Sequence, residues 1–185
     1  MMRRGKSIVY RSIVGLQLTI LAFIIAGCSG NADDLTTQQQ NIAVVRSYFT
    51  ALDNNTPAAI PILFAADATQ EFVGNPTIVG GDAILQQFQL AWAQMQSMHT
   101  EYLTTVAEGD TVVVQVRHDA VFKAGGAVKT RTGVTPPFVV FAADTPITWR
   151  ALAVFKLRDG KIIEETIIRD ELAIMMQIGA VTITP

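Results

Sequence analysis

The sequence has one cysteine and two histidines among its 185 residues. A single cysteine, Cys28, excludes an intramolecular disulfide. Together with two histidines it supplies too few ligands for a zinc cluster, so no metal site is predicted. Gly80-Gly81 stands alone rather than within a phosphate-binding glycine loop, and no cofactor is expected.

Positive charge is scarce outside the N-terminus, where four of the 14 basic residues lie within the first eleven positions. Without residues 1–27, 10 basic and 16 acidic side chains remain, which gives a net charge of −6. Nucleic-acid-binding domains normally carry a basic stripe, so no nucleic-acid partner is expected. Half of the residues are hydrophobic, and the chain is long enough for one domain with its own core.

The N-terminus has the composition of a secretion signal. A basic segment, Met1–Arg11, precedes an apolar segment, Ile13–Ala26, that is shorter than the ~20 residues of a membrane span. It ends in Ile25-Ala26-Gly27-Cys28, which resembles the lipobox of bacterial lipoproteins. The resemblance implies a signal peptide over residues 1–27, a lipid on Cys28 and an extracytoplasmic, membrane-anchored domain. The alternatives are an uncleaved anchor, or a plain signal peptide with an incidental cysteine.

The residues after the cysteine predict a tether and then one domain. Ser29 resembles the outer-membrane sorting type of lipoprotein if the host has two membranes. Residues 28–40 are polar, with a glutamine run, and predict a flexible tether. The domain is predicted over residues 41–183.

Helices are predicted in the first half of the domain and strands in the second. Apolar residues at spacings of three and four after Thr36 or Thr37 predict the first helix. A short second helix over 57–64, a strand over 67–73 and a third helix from Gly80 follow. Four antiparallel strands are predicted over 99–107, 111–123, 147–157 and 161–169, with a long loop over 124–145 and a short closing helix. This order predicts an α+β domain whose helices cover one face of the sheet.

Several segments, in this order and spacing, resemble a known family. They are Asn41–Asp53, Gly80–Ile84, Val106–Val114, Phe155–Glu165 and Asp170–Ala180. The layout resembles the cone-shaped nuclear transport factor 2-like fold, and more closely the SnoaL-like polyketide cyclase or ester cyclase group. The resemblance implies three N-terminal helices packed on a curved antiparallel sheet, a small hydrophobic molecule as partner, and a homodimer. The chain differs from the family pattern at Arg169, where a tryptophan is usual.

Two residues are candidates for catalysis. The resemblance implies that Asp170, at the end of the last strand, is a general acid or base; the alternative is that it caps the closing helix. His118 alternates with Val112, Val114 and Val116 on one face of its strand, so it is predicted to point inward. It would then either move protons near neutral pH or serve as a buried core histidine.

The ligand pocket has six further candidates. An apolar pocket lined by aromatic side chains is the expectation, although aromatics at such spacings also build ordinary cores. Glu164 shares a strand face with Asp170 and is either a pocket residue or half of a structural ion pair with Arg150 or Arg169. The predicted lining is Tyr48, Phe49, Phe72, Trp92, Trp149 and Glu164.

The predicted function is a cofactor-free enzyme that acts on a small apolar carbonyl compound by acid–base chemistry of the polyketide cyclase type. The alternative is a non-catalytic, lipid-anchored protein of the same fold that binds a small ligand or a partner. A fold of this kind hosts many activities, so the residues of the cavity must decide between them.

Overall fold

The computed structural model describes residues 29–129 and 138–181. The described residues divide after Thr36 into two units, and the second contains every strand among them. The predicted signal peptide and the lipid attachment site at Cys28 lie outside the described residues. Within the described part of the chain, no helix has the length and apolar character needed to cross a membrane.

Four helices are present in the described residues: α1 (Ser29–Asp53), α2 (Ile60–Leu63), α3 (Gly81–Ala93) and α4 (Glu171–Gln177). A 3-10 turn over Pro57–Ala59 leads into α2. Residues 29–40, which belong to the predicted flexible tether, form the start of α1. This segment has no proline and contains the glutamine run, and glutamine is a good helix former.

Eight strands of the described residues form two sheets. Six strands lie in the order β2-β1-β8-β7-β4-β3, and β5 pairs with β6 separately. The strands are β1 (Phe64–Phe72), β2 (Ile78–Val79), β3 (Met95–Glu108), β4 (Thr111–Phe122), β5 (Ala127–Lys129), β6 (Phe138–Val140), β7 (Thr145–Arg158) and β8 (Lys161–Arg169).

Two features of the sheets differ from the prediction. The main sheet is not wholly antiparallel, since β1 pairs with β8 in parallel. Only strands joined by a tight hairpin must be antiparallel, and no turn links these two. The segment 124–145 is not a plain loop either, because β5 and β6 form a small antiparallel pair within it.

The core lies between the main sheet and the helices, as the predicted α+β fold requires. Buried side chains of α1 and α3 pack against the inward faces of β4 and β7, where buried and exposed residues alternate. At one end, Ile174 and Met175 of α4 pack with Phe141 and Ile147. The helices therefore cover one face of the sheet, and α4 and the β5–β6 pair contribute to the same end of the domain.

Candidate active site

A cavity of about 310 Å³ lies between the helices and the sheet. This volume is at the lower end of the ~300–1,000 Å³ typical of small-molecule sites. Its lining is mostly apolar and comes from α1, α3, α4 and strands β1, β3, β4, β5, β7 and β8. The described side chains that give it polar character are Tyr48, Gln87, Gln94, His118, Glu165, Arg169 and Glu171.

Glu165 is the most deeply buried ionisable group of this cavity, with 1% of its surface exposed. Gln70 Nε2 donates a hydrogen bond of 2.7 Å to Glu165 Oε2 and lies 3.4 Å from the Tyr48 hydroxyl. Tyr48 also hydrogen-bonds to Glu165. Both partners are neutral, so no opposite charge within this group balances a negative charge on the carboxyl.

Burial raises the pKa of Glu165 from 4.5 to about 8, and the hydrogen bonds from Gln70 and Tyr48 offset only part of that rise. At neutral pH the carboxyl is therefore mostly protonated. A protonated carboxyl can donate a hydrogen bond or a proton, which an ionised one cannot. Glu165 thus has the properties of a general acid in an apolar site.

His118 lines the same cavity from β4 and is also buried. Its ring lies between Trp149, with centroids 5.1 Å apart, and Phe49, at 5.9 Å. Its Nδ1 lies 3.1 Å from Thr100 Oγ1 on the neighbouring strand. Aromatic packing and this contact together fix the orientation of the imidazole.

Burial, together with the positive charge of Arg169, lowers the pKa of His118 to about 4, although Asp119 acts in the opposite direction. The imidazole is consequently neutral at pH 7 and keeps one nitrogen lone pair. A neutral histidine with a free lone pair can accept a proton from a ligand. The cavity therefore holds a neutral acid and a neutral base at the same pH.

Arg169 and Glu171 form an ion pair through Nε and Oε1 where β8 passes into α4. Arg169 also stacks over the Phe72 ring, with its guanidinium carbon 5.2 Å from the centroid. Four residues of strand separate Arg169 from Glu165, roughly 13 Å at ~3.3 Å per residue. Since 35% of the Arg169 side chain is exposed, this ion pair lies nearer to solvent than Glu165 does.

Five of the predicted site residues line the cavity: His118, Tyr48, Phe49, Phe72 and Trp149. His118 points inward as its strand pattern indicated, because its neighbours Val116 and Ala120 are buried on the same face. These residues meet because α1, β1, β4 and β7 converge on one space.

The other three predicted residues lie elsewhere. Trp92 is buried in the core on α3 and is not part of the cavity lining. Glu164 faces outward on β8 and pairs with Lys156 at 2.9 Å, instead of the expected Arg150 or Arg169. Neither arrangement supports a role in the pocket.

Asp170 is exposed and acts as the N-cap of α4, where its Oδ1 accepts a hydrogen bond of 2.9 Å from the Ala173 amide. It does not line the large cavity. Asp170 thus occupies the position of a helix cap, as the alternative prediction described. Its contacts give no support to the catalytic role that the family resemblance implied. The acids that do line the cavity are Glu165 and Glu171, and Glu171 is paired with Arg169.

Sequence reasoning missed Glu165 because of a β-bulge. Plain hairpin pairing from Lys161 would place Glu164 opposite the inward-facing Phe155. In the structure the register shifts, so that Phe155 pairs with Glu165 and Ile163 is the extra residue. The partner of Glu165, Gln70, is buried on the adjacent strand β1, and nothing in the sequence spacing indicated that these two residues meet.

No metal centre is evident in residues 29–129 and 138–181, where no three histidine, cysteine, aspartate or glutamate side chains cluster. The described polar groups of the cavity are instead suited to hydrogen bonding and proton transfer. They include one neutral acid, one neutral base and one ion pair.

A family model for the SnoaL-like domain matches residues 45–165, which include Tyr48, Gln70, His118 and Glu165. Among curated proteins there was no significant match. The match covers most of the cavity lining but ends at Glu165, before the end of β8 and before α4.

Solved structures share the fold at low sequence identity. A proposed SnoaL-like polyketide cyclase from Jannaschia sp. CCS1 is 20% identical over 78% of this chain and 95% of its own, with a TM-score of 0.63. IdmH, a proposed polyketide cyclase from Streptomyces antibioticus, is also 20% identical over 76% and 99%, with a TM-score of 0.58.

A third neighbour has a different named activity. The LEH-like epoxide hydrolase from M. tuberculosis is 15% identical over 76% of this chain and 90% of its own, with a TM-score of 0.60. At these identities the likeness establishes the fold and not the reaction.

Proposed function

The chain belongs to the SnoaL-like domain family, and we propose that it is a cofactor-free acid–base enzyme acting on a small apolar carbonyl compound. One observation carries the proposal: Glu165 and His118 lie in one apolar cavity, and their surroundings move their pKa values in opposite directions. Divergent pKa values of this kind allow acid and base chemistry to run at one pH.

In the proposed reaction the carbonyl compound lies against the apolar walls of the cavity. Glu165 lies in the same row of the sheet as Phe155 and Val112, and six residues of β4, roughly 20 Å at ~3.3 Å per residue, separate Val112 from His118. The substrate is therefore proposed to extend along the cavity. His118 takes a proton from a carbon that is conjugated with a carbonyl group, and Glu165 gives its proton to the oxygen of that carbonyl. The product of this step is an enol, with His118 protonated and Glu165 ionised. Return of the proton to a different carbon would isomerise the compound, and attack of the enol carbon on a second carbonyl would close a ring.

Glu165 takes the role that the resemblance assigned to Asp170. The support is that Glu165 is buried in the cavity, whereas Asp170 is exposed and occupied as a helix cap. The neighbours named as polyketide cyclases are consistent with carbonyl chemistry, but their identity of about 20% does not carry a substrate over. The substrate class is therefore inferred from the cavity.

The test measures exchange of carbon-bound protons for deuterium. A panel of small cyclic ketones and β-diketones is incubated with the protein in D₂O and followed by proton NMR. We expect exchange with the wild type, and a reduction of ~100-fold or more in Glu165→Gln and in His118→Phe, since general acid–base groups typically contribute about 10²–10⁴-fold. Glu108→Gln, at the exposed end of β3, is the matched control and keeps the wild-type rate.

The Asp170→Asn variant tests whether Glu165 or Asp170 is the catalytic acid. The substitution removes the charge but retains a capping side chain, so full exchange activity is expected. Loss of exchange in this variant alone would return the catalytic role to Asp170. Saturable binding of the ketones with no exchange in the wild type would favour the alternative, a non-catalytic ligand-binding protein.

We further propose that the domain is an extracytoplasmic lipoprotein anchored through Cys28. The support is the sequence Ile25-Ala26-Gly27-Cys28 after a basic and an apolar segment. In a bacterial host fed an alkyne-labelled fatty acid, the full chain should acquire label and Cys28→Ser should not. Equal labelling of both proteins would rule out a lipid on this cysteine.

A further inference from the structure

A partly buried hydrogen-bonded chain runs from the end of α1 to the cavity. Thr100 Oγ1 donates to Asp53 Oδ1 at 2.7 Å, and the Thr100 backbone amide donates to Asp53 Oδ2 at 3.0 Å. His118 Nδ1 lies 3.1 Å from the same Thr100 hydroxyl oxygen. Thr100 and His118 are directly opposed in the pairing of β3 with β4, so the sheet itself holds them in contact.

The chemistry of the three groups fixes where the protons are. A carboxylate only accepts hydrogen bonds, so the single hydroxyl proton of Thr100 is directed at Asp53. The hydroxyl then offers only a lone pair to His118, and Nδ1 must carry the proton between them. A neutral imidazole has one N–H, which leaves Nε2 as the nitrogen with the lone pair.

Several neighbouring groups fix the orientation of the His118 ring and keep it neutral. Phe49 and Trp149 flank it, and burial keeps it neutral despite the nearby Asp119. Arg169, the other charged group acting on it, further disfavours a second proton. Among the described residues, none forms a hydrogen bond to Nε2.

We propose that Asp53 and Thr100 are positioning residues that hold His118 in its Nδ1–H tautomer, so that Nε2 is the atom that accepts the substrate proton. The catalytic use of this arrangement rests on the proposed acid–base function, but the tautomer itself is a property of the protein without substrate. Without Thr100 the imidazole loses its fixed partner and can carry its proton on either nitrogen. In the molecules whose imidazole proton is on Nε2, that nitrogen could not accept the substrate proton.

The direct test is the tautomeric state of His118, read from long-range ¹H–¹⁵N correlation spectra of the ¹⁵N-labelled protein. The signals of His118 are identified by their absence in His118→Phe, which leaves only His99. We expect the Nδ1–H pattern in the wild type. The Nε2–H pattern would overturn the proposal.

Variants separate positioning from mere structural support. Thr100→Val removes the hydroxyl at nearly constant shape, and Asp53→Asn removes the carboxylate. In both we expect mixed or reversed tautomers and a decrease in exchange of about 10–100-fold, the range found for groups that orient a metal-bound histidine. Thr100→Ser restores the hydroxyl and should recover the Nδ1–H pattern and most of the rate. If Thr100→Val kept the Nδ1–H pattern, the proposal would fail.

Failure of this proposal can be told apart from failure of the enzyme assignment. An Nδ1–H pattern that changes in Thr100→Val, in a protein that exchanges no protons, would leave the positioning intact and remove the proposed reaction. Normal exchange with an Nε2–H pattern would retain the reaction and remove the positioning. If Thr100→Val is not folded by circular dichroism, the wild-type spectrum and the tautomer in Asp53→Asn still decide the outcome.

Discussion

At the scale of single residues, Glu165 makes folding dependent on pH. Its pKa is raised from 4.5 in the unfolded chain to about 8 in the folded protein. The folded state therefore holds a proton that the unfolded state releases between these two values. The contribution to stability is complete below pH 4.5 and is lost as the pH rises to about 8.

Replacing Glu165 with Gln should remove this dependence. The neutral amide needs no proton, so unfolding free energies of the variant should decline less than those of the wild type between pH 5 and about 8. The difference should be on the order of 4–5 kcal/mol at most, at about 1.36 kcal/mol per pKa unit. Urea unfolding across this range measures it. Glu108→Gln should keep the wild-type decline, and an equal decline in Glu165→Gln would show that the carboxyl is already ionised.

At the scale of elements, the β-bulge in β8 decides which acid enters the cavity. The alternation of β4 and β7 could be predicted because both strands are regular over their whole length. In β8 one extra residue, Ile163, shifts the register, and Ile162 and Glu165 both become buried. A strict two-residue alternation of side chains contains no such extra residue. The inward position of His118 was therefore predictable, and that of Glu165 was not.

The α4 helix depends on its cap at Asp170. Asp170→Ala should destabilise the protein by about 1 kcal/mol, because the Ala173 amide loses its acceptor. Asp170→Asn should lower the free energy of unfolding by only a few tenths of that amount, since asparagine caps a helix about as well as aspartate. Chemical denaturation of the two variants measures the difference. Equal losses in both would point to the charge rather than the cap.

The turn that leads into β5 requires glycine at position 126. A Cβ atom there would lie 2.9 Å from the carbonyl oxygens of both Gln94 and Lys123. Gly126→Ala should therefore cost about 1–3 kcal/mol and displace Ala127 and Val128, which line the cavity. Gly109→Ala is a useful comparison, because open space surrounds it and only its positive φ of 56° opposes the substitution.

The two glycine variants are compared by thermal unfolding and by the NMR chemical shifts of His118, recorded without ligand. Only Gly126→Ala should perturb the His118 signals, because Gly109 lies in the distant β3–β4 hairpin. Unperturbed cavity signals in a folded Gly126→Ala protein would contradict the packing described for this turn.

At the scale of the whole molecule, the order of elements was enough to predict the fold class. Hairpin turns at Gly109 and Gly160 bracket regular strands, and apolar periodicity marks α1 and α3. The parallel pairing of β1 with β8 was not predictable, because it joins residues 95–98 positions apart without a connecting turn. Contacts of that range depend on how the whole sheet closes over the core.

The outward face of the sheet is the surface expected to form a homodimer. Leu152 and Ile168 are exposed there and lie directly opposite each other on β7 and β8. If this face is the interface, Leu152→Glu with Ile168→Glu should shift the sedimentation of the protein from dimer to monomer, because like charges would be buried without partners. Ile62→Glu, exposed on α2, should have no such effect. A monomeric wild type would contradict the expectation.

The central claim is that one apolar cavity contains both a protonated Glu165 and a neutral His118, and titration of the Glu165 carboxyl carbon by ¹³C NMR tests it most directly. We expect one resonance that titrates near pH 8 and is absent from Glu165→Gln. If the resonance of Glu165 instead titrates near the ordinary glutamate pKa of about 4.3, the acid of the proposed mechanism does not exist.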